Sequence, residues 1–353
     1  MRYRKQRNYG CRIHDEYTYK GMRVIVLENE KIKVSVLADK GTEIYEYLYK
    51  PKDIDLMWLT ENGVQNPNEY LSTSPDPIST FIDYYPGGWQ EIFPNGGPTN
   101  TYKGAQFGQH GEVAHMPWDY VITVDTPEKI QVEFTVATKK VPFRLTKKMT
   151  LHANSARLII EEEVENLSEE DLEVMWGHHL AYGRPFLSAE ASEIRIPKGV
   201  KITPHSEFFN NNDSRVRPNQ GQPYDWPICK SFDGEDIDVS KLPVMNTPGD
   251  VLYLTNFPEG RYEIVNSDLG ISFEVEWDLT VFPYVWYWQE FGATKGYPWY
   301  GRQYNIGLEP FSSFPSSGLS EAVANGSSLK LKGKEKRRFT LSTQVKELKM
   351  LSR

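Results

Sequence analysis

The chain has 353 residues, a formal net charge of −8, only 12 alanines, 13% aromatic residues, 26 Gly and 23 Pro. Scarcity of the best helix former beside abundant ring and turn residues excludes a helical protein, and at this length favours one large β architecture, a single domain over 1–353, over two domains. The acidic balance disfavours nucleic acid, no run reaches the ~18 apolar residues of a membrane span, and Cys11 and Cys229 supply neither a disulfide framework nor paired zinc-site spacing.

At the amino terminus the basic cluster Arg2, Arg4, Lys5 and Arg7 leads into polar sequence, not a hydrophobic signal region, so a reducing cytoplasm is the expected location. Period-two alternation in Ile32, Val34, Val36, then in Ile130, Val132, Phe134, Val136, and again in Ile271, Phe273, Val275, Trp277 predicts half-buried antiparallel strands. Turn chemistry separates them at Asn62-Gly63, Asn66 to Ser79, Asn95 to Pro98, Asn154-Ser155, Asn166 to Ser168 and Asn210 to Asp213. Glu161 to Glu163 and Glu169 to Asp171 bracket one turn and predict a solvent-facing hairpin. The Lys/Arg run from Lys330 to Arg338, flanked by alternating Leu and Phe, predicts another solvated hairpin face. The irregular stretches Glu61 to Pro98 and Ser206 to Met245 carry many aromatic residues, and such loops usually pack over a site.

Four of seven histidines fall in two Gly-flanked groups, His110 and His115 in GQHGEVAH and His178-His179 in WGHHLAYG. Glycine lets backbone approach a ligand, and a histidine with its ordinary pKa near 6.5 serves as acid or base at neutrality. His14, His152 and His205 stand in ordinary polar context, where backbone hydrogen bonding is the simpler role. Later, Glu309 is one carboxylate in an uncharged, aromatic, proline-punctuated run, NIGLEPFSSFP. Pro310 biases Glu309 toward extended backbone, and the carboxylate either pairs with an Arg such as Arg302 or acts as a base.

In their order these stretches resemble the aldose 1-epimerase (galactose mutarotase-like) superfamily: His110-Gly111, then His179-Leu180-Ala181-Tyr182, then Leu308-Glu309-Pro310. The opening Val24 to Glu28, Ile32 to Leu37, Gly41 to Ile44 and Asp55 to Trp58 is similar too, as is the segment Gly87 to Gly97, so the resemblance extends from about Val24 to Pro315. It implies an all-β fold, a large antiparallel β-sandwich of the supersandwich type, and a cofactor-free sugar isomerase that interconverts α and β anomers. It also implies the catalytic roles: Glu309 removes the O1 proton, His179 as imidazolium protonates O5, and His110 polarises the ring oxygen or a neighbouring hydroxyl. A charged Glu309 beside His179 would raise the imidazole pKa and put the optimum near neutrality. The chain departs from the family where His178 competes with His179; the spacing to Tyr182 selects His179. Trp89, Gln90, His178, Asp278, Trp288 and Gln289 are candidate substrate-binding residues, each of which equally suits a core, and for the tryptophans the core is the favoured place.

Three alternatives stand beside the isomerase. A non-catalytic carbohydrate-binding or sensing protein would keep the aromatic residues and need neither His179 nor Glu309. A glycoside hydrolase or lyase would need a second carboxylate near Glu309, from Glu91, Asp278 or Glu290. A cupin-like metal enzyme would draw on His110, Glu112, His115 and the His178-His179 pair, but no His-x-His spacing is present, so no metal is expected. The expected partner is a small-molecule sugar, with no membrane.

Overall fold

The computed structural model describes residues 7–69, 77–205, 214–218 and 222–348. The basic residues Arg2 to Lys5, the Asn210 to Asp213 turn and part of the Asn66 to Ser79 turn lie outside them. The expected all-β class is what the chain adopts: among the described residues there are two large antiparallel sheets, three two-stranded ones and two short α-helices, Pro77–Tyr84 and Leu319–Asn325.

The first sheet has twelve strands. From one edge it runs through Arg12–Tyr19, Met22–Glu28, Ile32–Leu37, Glu43–Tyr49, Trp89–Ile92, Gly177–Gly183, Asn305–Phe311, Tyr284–Glu290, Val251–Thr255 and Lys201–Pro204 to Tyr224–Asp225, with Ile54–Asp55 paired outside that path. The second has eight, ordered Ser192–Arg195, Arg261–Asn266, Ile271–Trp277, Lys336–Glu347, Arg157–Asn166, Phe143–His152, Lys129–Ala137 and Asp119–Asp125. The alternating runs seen in the sequence supply Ile32–Leu37, Lys129–Ala137 and Ile271–Trp277, whose apolar members are buried.

One hydrophobic cluster fills the space between the sheets and draws on residues from Cys11 to Val345. Because side chains alternate along a strand, each central strand of the first sheet sends one set into this core and the other to the opposite face. On Gly177–Gly183 the core set is His178, Leu180 and Tyr182: His178 stacks on Phe339, and the Tyr182 hydroxyl lies 2.7 Å from that of Tyr262 on the second sheet. His179 and Ala181 therefore face away from the second sheet.

The acidic run at 161–163 does not form a wholly solvated face as expected. Strand alternation turns Glu162 into the core, where its carboxylate lies 3.0 Å from Nε2 of His178 and 3.5 Å from the Lys147 ammonium. The basic run from Lys330 is solvent-facing, with Lys336 and Arg338 bonded to Glu163 at 2.9 and 3.0 Å.

Candidate active site

Antiparallel register builds the site. His179 pairs with Gln90, and the same register that pairs Gly177 with Phe311 and Ala181 with Gly307 sets His179 opposite Glu309. Glu309 in turn pairs with Trp286, and Trp286 with Tyr253. Gln90, His179, Glu309, Trp286 and Tyr253 thus form one row across five strands, all on the face turned from the second sheet.

Nε2 of His179 stands 3.6 Å from a Glu309 carboxylate oxygen. The His110 ring meets His179 edge to face with centroids 5.4 Å apart. His110 arrives from a loop held in a left-handed turn, φ +59°, and its Nδ1 accepts the Gly97 N–H at 3.2 Å, so the neutral ring carries its proton on Nε2. Gly97 itself requires its lack of a side chain: its φ is +85°, and a Cβ would lie 1.9 Å from the Ser316 carbonyl oxygen. These groups open on a cavity of about 650 Å³ whose other walls include Phe81, Tyr85, Trp288, Tyr297 and Trp299.

Burial governs the protonation of the dyad. It pushes Glu309 well above the usual carboxylate range and His179 down to about 4, and it takes His110 well below 6.5, with the neighbouring His179 and His115 adding to that. The expectation that a charged Glu309 raises His179 is therefore overturned, because the desolvated carboxyl group keeps its own proton. A neutral acid beside a neutral base has the same proton count as carboxylate beside imidazolium, so one donor and one acceptor remain. Nδ1 of His179 lies within hydrogen-bond distance of the Tyr85 hydroxyl, 3.2 Å away, and the tautomer of the ring sets which of the two donates.

The structure thus brings His110, His179 and Glu309 to one cavity and puts Gln90 and Trp288 on the same face. It does not bring the other candidates there. Trp89, His178 and Gln289 have the opposite strand parity and enter the core: the Trp89 indole N–H donates to Nδ1 of His178 at 2.9 Å, and Gln289 accepts from Arg215 at 2.7 Å. Asp278 lies in the turn after Ile271–Trp277 on the second sheet and accepts the Thr280 N–H at 2.8 Å. Arg302 is exposed, whereas Glu309 is buried against His179.

Neither Glu91 nor Glu290 is placed to work with Glu309 as a second carboxylate. Glu91 faces the core, 2.6 Å from Lys147, and Glu290 accepts the Gly292 N–H at 3.0 Å and the Thr294 hydroxyl. Glu112, proposed as a metal ligand, accepts the N–H groups of Lys139 and Lys140. Among the described residues the one cluster with metal-ligand spacing is Glu91, Glu162 and His178, and the Lys147 ammonium already serves as its cation.

Local sequence does not single out Tyr85, Phe81, Trp299, Tyr253 or His205; the aromatic content of the Glu61 to Pro98 stretch is the one signal for the first two, and His205, in ordinary polar sequence, lines the cavity.

The sheet architecture is the galactose mutarotase-like fold. A candidate aldose 1-epimerase from Klebsiella pneumoniae superposes with a TM-score of 0.71 at 14% identity, covering 94% of this chain and 82% of the other. A galactose mutarotase-like protein from Clostridium acetobutylicum gives 0.65 at 15%, covering 96% and 99%, and another from Lactobacillus casei gives 0.55 at 16%, covering 92% and 100%. No curated protein matches the chain. Residues 19–222 match the family described as a domain of unknown function, DUF4432, and the chain belongs to that family. Among the described residues no helix is long and apolar enough to cross a membrane.

Proposed function

We propose that the protein is an aldose 1-epimerase-like isomerase that interconverts the α and β anomers of a sugar. The observation that carries this is the buried acid–base pair, Glu309 and His179 with their nearest atoms 3.6 Å apart, at an aromatic-walled cavity. Anomer exchange needs one base and one acid on a single hemiacetal and nothing else.

The base takes the O1–H proton as the C1–O5 bond breaks, the bonding electrons move to O5, and the acid protonates O5. Rotation about C1–C2 and the reverse steps close the ring on the other face. With Glu309 protonated and His179 neutral, His179 Nε2 is the ready base and Glu309 the ready acid. Transfer of the shared proton reverses these roles and restores the carboxylate–imidazolium assignment. His110, through Nε2–H, donates to a ring or hydroxyl oxygen. Sugar C–H faces suit the aromatic walls.

Polarimetry on freshly dissolved single anomers tests the proposal. The protein should accelerate mutarotation, and Glu309→Gln should lower kcat by about 10²–10⁴-fold while sugar binding persists. Near wild-type turnover in Glu309→Gln would overturn the assignment. Binding without any anomer exchange in the wild-type protein would favour the carbohydrate-binding alternative.

A further inference from the structure

The row that carries the acid–base pair continues past His179 in the other direction. Ile44 pairs with Trp89 and both enter the core, so their neighbours Glu43 and Gln90 turn to the opposite face, with Gln90 paired to His179. Glu43, Gln90 and Lys40 are 0%, 2% and 1% exposed, and the Lys40 ammonium is bonded to the Glu43 carboxylate. A tight turn puts the pair there. Gly41, at φ +63°, donates its N–H to the Met116 carbonyl at 2.8 Å, and a Cβ on it would lie 2.5 Å from the Ala114 carbonyl oxygen. A buried ion pair often stabilises no more than an apolar pair of similar volume, so stability alone gives no reason for one at this place.

Gln90 reaches from this pair toward the site. Its Nε2 donates to the Gly87 carbonyl. Gly87 and Gly88, at φ +90° and +76°, form the corner that leads from Tyr85 into the Trp89–Ile92 strand, and a Cβ on Gly87 would lie 2.2 Å from the Trp58 carbonyl oxygen. The Gly88 N–H to the Trp58 carbonyl and the Thr60 N–H to the Pro86 carbonyl, each at 2.7 Å, tie the same corner down. Tyr85 stands two residues before it, with its hydroxyl 3.2 Å from Nδ1 of His179. Glu43 bears on Gln90 in turn: burial pushes its carboxyl up, and the Lys40 ammonium and the Gln90 amide beside it work the other way. A carboxylate draws the NH2 end of an amide and repels its oxygen, which favours the orientation in which Nε2 meets the Gly87 carbonyl.

We propose that Gln90, oriented by the ion pair of Lys40 and Glu43, is a positioning residue that holds Tyr85 against His179. Its amide fixes the Gly87 carbonyl, the corner fixes Tyr85, and the Tyr85 hydroxyl fixes the imidazole. This is a different task from the direct sugar contact expected of Gln90 from the sequence. The effect on turnover rests on the isomerase reading; the effect on the His179 ring does not.

A cycle of variants with Tyr85→Phe tests the brace. Gln90→Met removes the amide at nearly constant length and should lower kcat about three- to tenfold in polarimetry, with KM within about twofold of wild type. In Gln90→Met/Tyr85→Phe, kcat should lie within about twofold of Tyr85→Phe alone, because the first change acts through the second residue. Nitrogen-15 spectra of histidine-labelled protein without sugar read the brace directly. Both single variants should move the His179 ring nitrogens in the same direction, since both take the Tyr85 hydroxyl from Nδ1. Gln90→Asn, which withdraws the amide by one methylene, should give the same pattern and stands in should Gln90→Met not fold. Multiplied losses in the double variant, an unchanged kcat, or His179 nitrogens unmoved by the Gln90 variants would overturn the proposal. So would a change confined to KM, which would make Gln90 a sugar contact. Wild-type protein without anomer exchange would end the isomerase reading, and the ring spectra would still decide the brace.

Discussion

Tyr85 presents its hydroxyl to Nδ1 of His179, and in the proposed reaction the tautomer of that ring decides whether Nε2 can receive a proton. Tyr85→Phe removes the hydroxyl that meets Nδ1 while keeping the ring stacked on Phe81 and edge-on to His179. The variant should lower kcat about tenfold with little change in KM, which steady-state polarimetry would show; a change confined to KM would contradict the positioning role. The acid limb of the wild-type pH profile tests the protonation argument. Adding a second proton to the dyad leaves two acids and no base, so activity should fall near pH 4, the value at which burial holds His179, and not near 6.5. His178, in contrast, belongs to the packing of the sheets. Burial opposes ionisation of Glu162, but His178 and Lys147 beside it hold its carboxyl down to about 2. His178→Ala strips a partner from that buried charge and from the Trp89 indole, and should cost about 3–5 kcal/mol in chemical denaturation. A loss below about 1 kcal/mol would contradict this.

The central strands work as presenting elements. In Asn305–Phe311 the residues Asn305, Gly307, Glu309 and Phe311 share the cavity face, while Ile306 and Leu308 are fully buried in the core between the sheets. Gly307 clears the space that the Glu309 side chain occupies: a Cβ there would lie 2.4 Å from a Glu309 carboxylate oxygen and 3.3 Å from the Trp288 ring. Gly307→Ala should therefore displace Glu309 more than it disturbs the strand, lowering kcat by 10-fold or more. The thermal midpoint should shift by only a few degrees. Unfolding without a separate effect on turnover would contradict that view. The Pro77–Tyr84 helix and the residue after it close the other side, with Phe81 packed against His110 and Tyr85 against Trp288 and Trp299.

Across the whole molecule the buried titratable groups oppose one another. His110, His115 and His179 are held neutral by burial, His115 to about 3, so the unfolded chain takes up their protons first as pH falls through 6.5. That alone would lower stability. Asp250 and Asp55, raised by burial to about 7 and about 6, and Glu309 act with the opposite sign, since the folded chain holds their protons before the unfolded chain does. The two sets offset one another from pH 7 to about 5. Below about 4 the raised acids are protonated in both states, while His110, His115 and the depressed Glu162 still resist protonation in the folded chain. Urea midpoints should be similar at pH 7 and 5 and fall steeply by pH 3; a steady decline beginning at pH 7 would show that the acids do not offset the histidines.

Much of the fold was legible because composition and period-two alternation follow from local chemistry: Ile130, Val132, Phe134 and Val136 can alternate only on a strand with one buried side. The three residues of the site were legible as unusual neighbours, two histidines beside glycines and one carboxylate in an aromatic run. Family resemblance supplied their order, while composition and spacing left Glu309 divided between Arg302 and catalysis. Tertiary structure decided the rest. Adjacent residues in a strand point to opposite faces, so His178 and Gln289 read like site residues yet pack in the core, and Glu162 reads like surface yet is buried. Which face becomes the cavity depends on register between strands as distant as Gly177–Gly183 and Asn305–Phe311. Desolvation depends on everything packed around a group, and it reversed the expected protonation of His179 and Glu309. Local sequence sets what each strand can show to either side; only long-range pairing determines what it meets there.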